Sequence, residues 1–489
     1  MTDILKLKSG TDIRGTAVGE NMTLTDEVIE RITFGFIVYI KEKTGKEKLK
    51  IAVGHDSRIS AQRIKAAVIR VLSAYGMQVV DCGLSSTPAM FMVNVLTDCD
   101  ASVQITASHH PYDRNGIKFF TKEGGFGGDE ITRVLTEGKN ASAVKTAPDA
   151  VAEKLDFMSI YAKHLREEIK KGVNAENYEE PLSGFHFVVD AGNGAGGFFA
   201  NDVLKPLGAD ISGSQFLEPD GMFPNHIPNP ENETAMGFVS RAARENGADL
   251  GIIFDTDVDR AGCVAGSGEE INKNRLIALA GVIALEDNPG GTVVTDSVTS
   301  TGLKKYIEEK LGGKHYRYRR GYRNVIDKAL ELNAQGINCP LAIETSGHAA
   351  LRENYFLDDG AYLMVKIIIR LAKMRKEGRN LDDFFADFED AAEEKERRFD
   401  LPEENFREFG TALISDFVEF CEGLPFITPE KENHEGYRVN FGADNGNGWT
   451  MLRMSVHDPV LSVAMESAEK GGIEKMEKVV DPFLDRYFS

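Results

Sequence analysis

The sequence predicts an α/β protein, with three similar α/β domains that contain mixed sheets and a smaller α+β domain at the C-terminus. Apolar runs typical of strands alternate with stretches of helical period, as where "LKIAVGHD" is followed by "SAQRIKAAVIRVLSAYG". The same order recurs from "FHFVVDAGNGAGG" and again from "GTVVTDSVTSTG". In each of these three segments a polar loop follows an apolar run, at the strand end where α/β sheets usually bind ligands.

The chain length and a change of character after Arg375 indicate where the domains lie. At 489 residues the chain is too long for one hydrophobic core. The charged stretch "EDAAEEKERRFDLPEENFREFG" is expected to be a solvated helix or linker. The turn residues "DNGNG" then separate two β-rich runs, which predicts a hairpin. The predicted domains are 1–152, 153–268, 269–378 and 379–489.

The composition excludes several classes of protein. The chain has 57 Lys and Arg against 77 Asp and Glu, a net charge of −20, which repels nucleic acid and anionic membranes. A bound phosphate group must therefore meet a local basic site. The five cysteines lack CxxC spacing, which favours reduced structural thiols. The N-terminus lacks a signal-peptide run and no apolar run approaches the roughly 18 residues of a membrane span, so we expect a cytoplasmic protein.

Three aspartates alternate in "DTDVDR", directly after the apolar run "LGIIF". The like charges of Asp255, Asp257 and Asp259 repel one another unless a cation neutralises them, and oxygen ligands without His or Cys favour Mg²⁺. An EF-hand is excluded because Arg260 and Gly266 stand where it needs Gly and Glu. Turn-capping aspartates are the plainer alternative.

The same stretch resembles the nucleophile motif of haloacid-dehalogenase-type phosphatases, in which the first Asp is phosphorylated and the second acts as acid and base. Under that interpretation Asp255 is the nucleophile. The motif usually opens its domain, whereas here it lies near the middle of the chain. An aspartyl phosphatase therefore stays as an alternative.

Ser108 lies in the polar loop of "ITASHHPYDRNGIKFF". His109 does not form a hydrolase-type pair with it, because neighbouring side chains of extended backbone point to opposite faces, and the pattern GxSxG is absent. Small residues leave backbone N–H groups open, and Arg114, Lys118 and the imidazoles supply further donors, which suits phosphate. An ordinary turn serine is the alternative when this loop is taken alone.

Four motifs occur in order: "TASHHP" around Ser108, "DTDVDR" at 255–260, "ETSGH" at 344–348 and "RMSVHDP" at 453–459. With "SGTDIRG", "VVDAGNGAGG" and "DGMFPNHIPNPEN", they resemble the α-D-phosphohexomutase superfamily, especially phosphoglucomutase/phosphomannomutase, over nearly the whole chain. The resemblance implies a heart-shaped enzyme of four domains around a central cleft. It also implies interconversion of hexose 1-phosphates and 6-phosphates through a phosphoserine. A hexose 1,6-bisphosphate intermediate reorients in the site and also serves as activator.

The resemblance assigns the phosphoryl transfer to the first two domains. Ser108 is the phosphoserine and Lys118 transfers protons. Arg14 and Arg260 orient the phosphoserine region. The catalytic residues that it implies are Ser108, His109, Lys118, Arg14 and Arg260. The ligands that it implies for Mg²⁺ are Ser108, Asp255, Asp257 and Asp259.

The resemblance places substrate binding in the last two domains. In "ETSGH", Glu344 and Ser346 bind vicinal sugar hydroxyls, while His348 supports them or joins in proton transfer. In "RRGYRN", Arg323 stands at a basic position, although Tyr318 replaces the Thr that is more common there.

The resemblance implies that the motif "RMSVHDP" forms the distal phosphate site. Arg453 is expected to make a charge-assisted contact and Ser455 to donate from its hydroxyl. The family pattern is Arg-x-Ser-Gly-Thr-Glu-Pro, so residues 456–458 depart from it, and His457 is expected to take over the contact of the threonine. His110 also departs, since Asn is more usual after Ser-His.

Three interpretations follow. The favoured one is a phosphohexomutase that acts on glucose or mannose phosphates, or both, as a monomer or dimer, with small-molecule sugar phosphates as its partners. A non-catalytic sugar-phosphate-binding protein of the same fold is the second, because residues 456–458 depart from the family pattern. The aspartyl phosphatase is the third. The choice among glucose, mannose and glucosamine phosphates stays open, since an axial and an equatorial hydroxyl differ by one hydrogen bond.

Overall fold

The computed structural model describes residues 3–455 and 459–488. It divides into two compact units, each made of two stretches of chain. The first unit contains Met1–Asn272 and Ser346–Phe384, and the second contains Lys273–Thr345 and Phe385–Ser489. Segments with parallel strands and helices precede a segment with an antiparallel sheet, so the predicted fold class is confirmed.

The first part of the first unit is a mixed sheet with helices. Its elements are β1 (Lys8–Ser9), β2 (Asp12–Thr16), α1 (Asp26–Thr44), β3 (Lys50–His55), α2 (Ala61–Ala74), β4 (Gln78–Leu84), α3 (Thr87–Leu96), β5 (Ala101–Ile105), β6 (Arg114–Thr121), β7 (Gly124–Gly125), α4 (Gly128–Asn140) and β8 (Glu153–Lys154). The sheet order is β1-β2-β6-β5-β3-β4-β8, with β7 beside β6. β3 and β5 are parallel neighbours, so the loops that follow them meet at one edge of the sheet.

Glycines allow α1 and α4 to pack backbone against backbone. A methyl group added at Gly35 would lie 2.0 Å from the carbonyl oxygen of Val134. A methyl group added at Gly138 would lie 2.5 Å from the carbonyl oxygen of Arg31. Both distances are far below an ordinary contact, so this crossing requires residues without a side chain.

The second part of the first unit contains a smaller sheet. Its elements are α5 (Phe157–Val173), β9 (Phe187–Asp190), α6 (Glu233–Asn246), β10 (Leu250–Phe254), β11 (Ala261–Ala265) and β12 (Glu270–Ile271). The order is β12-β11-β10-β9, in which β10 is parallel to β9 and antiparallel to β11. β10 is buried along its whole length, which explains why "LGIIF" is continuously apolar rather than alternating.

The chain then enters the second unit. This stretch contains α7 (Lys273–Glu286), β13 (Thr292–Thr295), α8 (Thr301–Lys305), β14 (Lys314–Arg317), α9 (Tyr322–Ala334) and β15 (Leu341–Ile343). β13 is parallel to both β14 and β15. Asp296 follows β13 and Glu344 follows β15, so polar side chains again lie at the carboxyl ends of parallel strands.

The chain returns to the first unit for β16 (Ala349–Leu351), β17 (Leu357–Asp358) and α10 (Gly360–Lys376). β16 and β17 are antiparallel. Asp359 caps α10, because its side chain accepts from the backbone N–H of Tyr362 at 2.9 Å. The hydroxyl of Tyr161, on α5, also donates to both carboxylate oxygens of Asp359, at 2.8 and 2.7 Å.

The rest of the second unit is an α+β segment. It contains β18 (Glu393–Asp400), α11 (Phe406–Glu422), β19 (Ile427–Pro429), β20 (Tyr437–Phe441), β21 (Gly448–Met454), β22 (Val460–Ser467) and α12 (Gly472–Phe488). The antiparallel sheet has the order β18-β22-β21-β20-β19. Phe417 of α11 and Phe483 of α12 are fully buried in its core. The predicted hairpin is present, since β20 and β21 pair across the turn residues.

The charged stretch after Arg375 contains a strand, so the expectation of a helix or linker is wrong there. β18 pairs antiparallel with β22 over its whole length, from Glu393 opposite Ser467 to Asp400 opposite Val460. β18 lies at the edge of the sheet and most of its side chains are exposed. Charged side chains on an edge strand discourage pairing with other chains, so the composition protects the strand rather than preventing it.

Two further expectations concern the cysteines and membranes. All five cysteines are free and buried, as the lack of CxxC spacing predicts. Across residues 3–455 and 459–488 we find no helix with both the length and the hydropathy that a bilayer span requires.

We expect Tyr161→Phe to lower the stability of the protein by about 1–3 kcal/mol, because a buried carboxylate loses a donor. Burial raises the pKa of Asp359 to about 6, and the hydrogen bonds that it accepts, including the one from Tyr161, oppose that rise. Equilibrium urea denaturation measures the change. Tyr178→Phe is the matched control. Tyr178 is 42% exposed, so this variant should lose little stability. Equal effects of the two changes would contradict the role of the Asp359 bond.

Candidate active site

Three aspartates crowd the turn between β10 and β11, which we call the aspartate turn (residues 255–259). Asp255, Asp257 and Asp259 are buried, and each offers a carboxylate oxygen within 4.8 Å of the others. Asp257 Oδ1 and Asp259 Oδ1 have no hydrogen-bond partner among the residues that the structure describes. Buried oxygens without partners, in a set of ligands that is all oxygen, fit a hard divalent cation such as Mg²⁺.

Ser108 lies against the aspartate turn. Its side chain is buried, and its φ of +50° is left-handed, a conformation that only surrounding contacts can hold in a non-glycine residue. Ser108 Oγ donates to Asp255 Oδ2 at 2.7 Å and lies 3.3 Å from His109 Nδ1. Two residues 147 positions apart in the chain are therefore joined by a buried hydrogen bond within the first unit.

Lys118, on β6, brings positive charge to the aspartate turn. Its Nζ donates to Asp259 Oδ2 at 2.6 Å and to Asp257 Oδ2 at 3.5 Å. Burial opposes the ionised form of Asp259, but Lys118 and neighbouring cations outweigh burial and lower the pKa of that carboxyl. One lysine cannot neutralise three carboxylates, so the charge of the turn also favours a bound cation.

Asp255 shows the opposite effect. Burial, followed by the charges of Asp259 and Asp257, raises the pKa of Asp255 well above its usual range. A divalent cation at the turn would reverse this shift, because the ionised carboxyl would then gain an opposite charge.

His348 is buried and links Arg260 to Asp358. Arg260 Nε donates to His348 Nε2 at 2.8 Å, so Nε2 is the acceptor and Nδ1 carries the proton donated to Asp358 Oδ2 at 2.6 Å. Asp259, His348 and Asp358 also offer atoms within 4.8 Å of one another. Both imidazole nitrogens are already engaged, so this second group suits a cation less well than the aspartate turn does.

Arg14, on β2, is held by a neighbouring carboxylate. Its Nη2 donates to Asp12 Oδ2 at 2.7 Å. Burial works against its charge, but Asp12 and then the more distant Asp257 and Asp259 raise the pKa of Arg14. The aspartate turn therefore acts electrostatically on Arg14.

The two histidines of the Ser108 loop are neutral. Burial lowers the pKa of His110 to about 3, with Arg14 adding to the effect. Burial lowers the pKa of His109 further below its ordinary value, and Arg260 adds to that shift. These imidazoles can exchange hydrogen bonds with a phosphate group but do not supply charge to it at neutral pH.

Ser346 presents a hydroxyl without a partner. It is buried, and its Oγ makes no hydrogen bond within the part of the chain that the structure describes. The next residue, Gly347, has φ of +92°, and a methyl group there would lie 2.6 Å from the carbonyl oxygen of Ala261. The turn therefore needs glycine at 347, and it leaves the Ser346 hydroxyl available to a ligand.

In the second unit, Glu344 and Arg323 lie near the start of α9. Glu344 is buried, and its Oε1 accepts from the backbone N–H of Gly321 at 2.5 Å. Arg323 Nε lies 2.9 Å from Asp327 Oδ1, one turn along the same helix. Arg323 is thus paired along α9, which its position in "RRGYRN" does not reveal.

Arg453, on β21, faces a carboxylate. Its Nη1 lies 3.9 Å from Glu435 Oε1, and its buried Nε has no hydrogen-bond partner in residues 3–455 and 459–488. Burial, and then the charge of Arg320, lower the pKa of Arg453. Ser455 follows β21, and its backbone N–H donates to the carbonyl of Val460 at 2.8 Å. The predicted contact of His457 falls outside the described residues.

The sequence does not single out two acidic residues of the second unit, Glu435 and Asp296. Glu435 Oε2 accepts from Ser297 Oγ and from the backbone N–H of Arg320, both at 2.8 Å. Asp296 Oδ2 accepts from Thr345 Oγ1 at 2.6 Å, whereas its buried Oδ1 has no partner among the described residues. The position of Asp296 after the apolar run "GTVV" was a usable signal, but Glu435 lies in a loop without one.

Comparison with known proteins identifies related sequences and structures. Family models for phosphoglucomutase/phosphomannomutase alpha/beta/alpha domains I, II and III match residues 6–143, 159–268 and 272–390. A phosphomannomutase/phosphoglucomutase of Pseudomonas putida is 28% identical over 431 residues, which are 88% of this chain and 86% of that protein. A phosphoglucomutase of Neisseria gonorrhoeae is 28% identical over 468 residues, 95% of this chain and 94% of that protein.

A solved structure is also similar to this chain. The crystal structure of a phosphoglucomutase/phosphomannomutase family protein from Burkholderia thailandensis matches with a TM-score of 0.81 at 25% identity. The match covers 99% of this chain and 97% of that chain.

We expect Mg²⁺ to raise the melting temperature of the protein, and Asp257→Asn to remove that response. The asparagine relieves repulsion in the aspartate turn but weakens the cation site, so the melting temperature without Mg²⁺ should stay equal or rise. Thermal denaturation with and without millimolar Mg²⁺ measures both effects.

Asp358→Asn is the matched control for the cation site, because Asp358 belongs to the second group of potential ligands. This variant should be less stable, since one amide oxygen cannot serve both donors that Asp358 accepts from, His348 Nδ1 and the backbone N–H of Ala349, yet it should keep the Mg²⁺ response. A response lost in Asp358→Asn and kept in Asp257→Asn would place the cation elsewhere.

Proposed function

This chain belongs to the phosphoglucomutase/phosphomannomutase family, and we propose that it interconverts hexose 1-phosphates and hexose 6-phosphates through a phosphorylated Ser108. The observation that carries the proposal is the 2.7 Å hydrogen bond from Ser108 Oγ to Asp255, within a buried turn of three carboxylates. A phosphoryl group on this serine would lie beside the cation that those carboxylates favour. The four domain limits predicted from the sequence remain part of this proposal.

We assign Mg²⁺ to Asp255, Asp257 and Asp259 together with the phosphorylated Ser108. The bound ion would offset the negative charge of the phosphoryl group and so make phosphorus more open to attack. The unpartnered oxygens of Asp257 and Asp259 support this assignment.

Residues of the chain then transfer the proton and orient the phosphoserine region. The 6-hydroxyl of a hexose 1-phosphate forms a bond to phosphorus, the bond between phosphorus and Ser108 Oγ breaks, and the serine oxygen regains a proton. Lys118 is our candidate for the proton transfers, because its Nζ lies 2.6 Å from Asp259 Oδ2, in the aspartate turn that also binds Ser108. Arg14 and Arg260 orient the phosphoserine region, and neutral His109 supplies a hydrogen bond.

We assign the rest of the substrate to residues that follow β15 and to the end of β21. Glu344 and Ser346 are assigned to sugar hydroxyls, and the Ser346 hydroxyl, which has no partner among the described residues, supports the assignment. Arg453 and Ser455 are assigned to the phosphate group that does not react. The resulting hexose 1,6-bisphosphate must turn over, so that its other phosphate returns to Ser108.

The substrates are proposed as glucose phosphates, mannose phosphates or both, with glucosamine phosphates as a further option. We place the protein in the cytoplasm, as a monomer or dimer, with hexose 1,6-bisphosphate as its activator. Arg323, which is paired with Asp327, and His457 are kept as further substrate contacts. The departures from the family pattern at 456–458 favour one second candidate, a sugar-phosphate-binding protein without turnover.

We expect Ser108→Ala to lower mutase activity by about three orders of magnitude or more, because the phosphoryl acceptor is removed. Intact mass spectrometry should show one added phosphoryl group on the wild type after incubation with glucose 1,6-bisphosphate, and none on the variant. A coupled assay with glucose 1-phosphate and with mannose 1-phosphate, each with and without the bisphosphate, measures the activity.

The same assays separate the alternatives. Full activity of Ser108→Ala together with loss of phosphate release in Asp255→Asn would favour an aspartyl phosphatase. Binding of glucose 1-phosphate without turnover, in the presence of Mg²⁺ and the bisphosphate, would favour the sugar-phosphate-binding protein.

We expect Arg453→Gln to raise the KM for the hexose 1-phosphate by about 10- to 100-fold, since a charge-assisted hydrogen bond is lost. The rate at which a saturating concentration of the bisphosphate phosphorylates Ser108 should change less than KM does. Steady-state kinetics measure it. Arg407→Gln, on the exposed side of α11, is the control and should leave KM unchanged.

A further inference from the structure

One buried arginine holds the backbone of the Ser108 loop. Arg58 follows β3 in "GHDSR", and its side chain is fully buried. Its guanidinium donates to the carbonyl oxygens of Ser108 and His110, both at 2.5 Å, of Pro111 at 2.6 Å and of Arg114 at 2.9 Å. Four carbonyls of one loop are thus fixed by a single planar group.

Asp56 connects Arg58 to the other side of Ser108. Arg58 Nε lies 3.2 Å from Asp56 Oδ2, which accepts from Thr106 Oγ1 at 2.7 Å. Thr106 Oγ1 in turn accepts from the backbone N–H of Ser108 at 2.9 Å. The N–H and the carbonyl of the left-handed serine are therefore both tied to the Asp56–Arg58 pair.

Residues of the motif "DGMFPNHIPNPEN" pack against Arg58. A methyl group added at Gly221 would lie 2.4 Å from the carbonyl oxygen of Ser57 and 2.7 Å from Arg58 Cα. The ring centroid of Phe223 is 5.2 Å from the guanidinium carbon of Arg58. We call residues 220–226 the brace segment.

His226 ties the end of the brace segment to the second sheet. His226 Nε2 lies 3.0 Å from Asp190 Oδ1, at the end of β9. Its Nδ1 lies 2.9 Å from the carbonyl oxygen of Ile227. Asp190 also accepts from Gln215 Nε2 at 2.8 Å, so the carboxylate that holds His226 is itself fixed.

We infer that Arg58 is a positioning residue for phosphoryl transfer at Ser108, and that the brace segment fixes the position of Arg58. The inference rests on the proposed function. A displacement of about 1 Å in a reacting group can cost about 100-fold in rate, so a loop that carries a left-handed serine needs rigid support. A role in fold stability alone is the competing explanation, and the two differ in what they predict for folded variants.

Arg58→Lys tests the geometry while it keeps the charge, because an ammonium cannot reach four carbonyls as a planar guanidinium does. We expect kcat to fall by about 10- to 100-fold with KM for glucose 1-phosphate within about twofold of wild type. The rate at which glucose 1,6-bisphosphate phosphorylates Ser108, followed by intact mass, should fall by a similar factor. All rates are measured well below the melting temperature of each variant.

Chemical rescue supplies a readout that fold stability does not predict. Arg58→Ala leaves a space that a guanidinium ion can occupy, so added guanidinium chloride at low millimolar concentration should restore part of the phosphorylation rate. Sodium chloride at the same concentration is the control and should not restore the phosphorylation rate.

Gly221→Ala tests the brace segment without removing any side chain. The added methyl must push the backbone at residues 57–59, so kcat should fall about tenfold with KM little changed. Gly138→Ala is the matched control, since its methyl would also meet backbone, 2.5 Å from the carbonyl oxygen of Arg31. This control should lose stability and keep the kcat of its folded fraction.

Three outcomes would overturn the inference. Wild-type phosphorylation rates in folded Arg58→Lys and Gly221→Ala would do so, as would equal loss of kcat in Gly138→Ala. Loss of the folded state in every Arg58 and Gly221 variant would assign these residues to stability instead. Failure of the proposed function is a separate result, because the wild type itself would then accept no phosphoryl group from the bisphosphate.

Discussion

The repulsion among three buried carboxylates is the constraint that organises the first unit. Asp255, Asp257 and Asp259 follow a fully buried strand, where charges are poorly screened and cannot stay without compensation. Lys118 from β6 and Ser108 from the loop after β5 both make hydrogen bonds to these carboxylates. The aspartate turn therefore joins the two sheets of this unit by charge and hydrogen bonding, at the place where our proposed chemistry occurs.

Both units use a buried arginine to hold a loop by its carbonyl groups. In the first unit Arg58 binds the loop of Ser108. In the second, Arg438 Nη1 donates to the carbonyls of Ser297 and Thr299 at 3.0 and 2.8 Å, and its guanidinium carbon lies 3.7 Å from the ring centroid of Trp449. A guanidinium offers several donors in one plane and tolerates burial against an aromatic ring, which suits a loop that lacks regular hydrogen bonds.

The order of apolar runs and polar loops was enough to predict the fold class and to place Ser108 and the aspartate turn at strand ends. The pairing of these two segments was expected only from the family resemblance, because no local pattern brings together residues 147 positions apart. β18 was missed since its charged composition suits an edge strand and a solvated helix equally well. The sequence does not single out Arg58, because its side chain donates to carbonyl oxygens, which every residue has.

The contact between Glu435 and Arg453 affects how the second unit would bind the phosphate group that we assign to it. The 3.9 Å separation, together with the bonds of Glu435 to Ser297 and to the Arg320 backbone, means that the proposed phosphate contact already has an internal counter-charge. An incoming dianion must share or displace that carboxylate, so its net gain is the difference between two ion pairs rather than the whole of one. Binding of this kind is weaker and exchanges faster, which suits the reorientation that we propose for the bisphosphate.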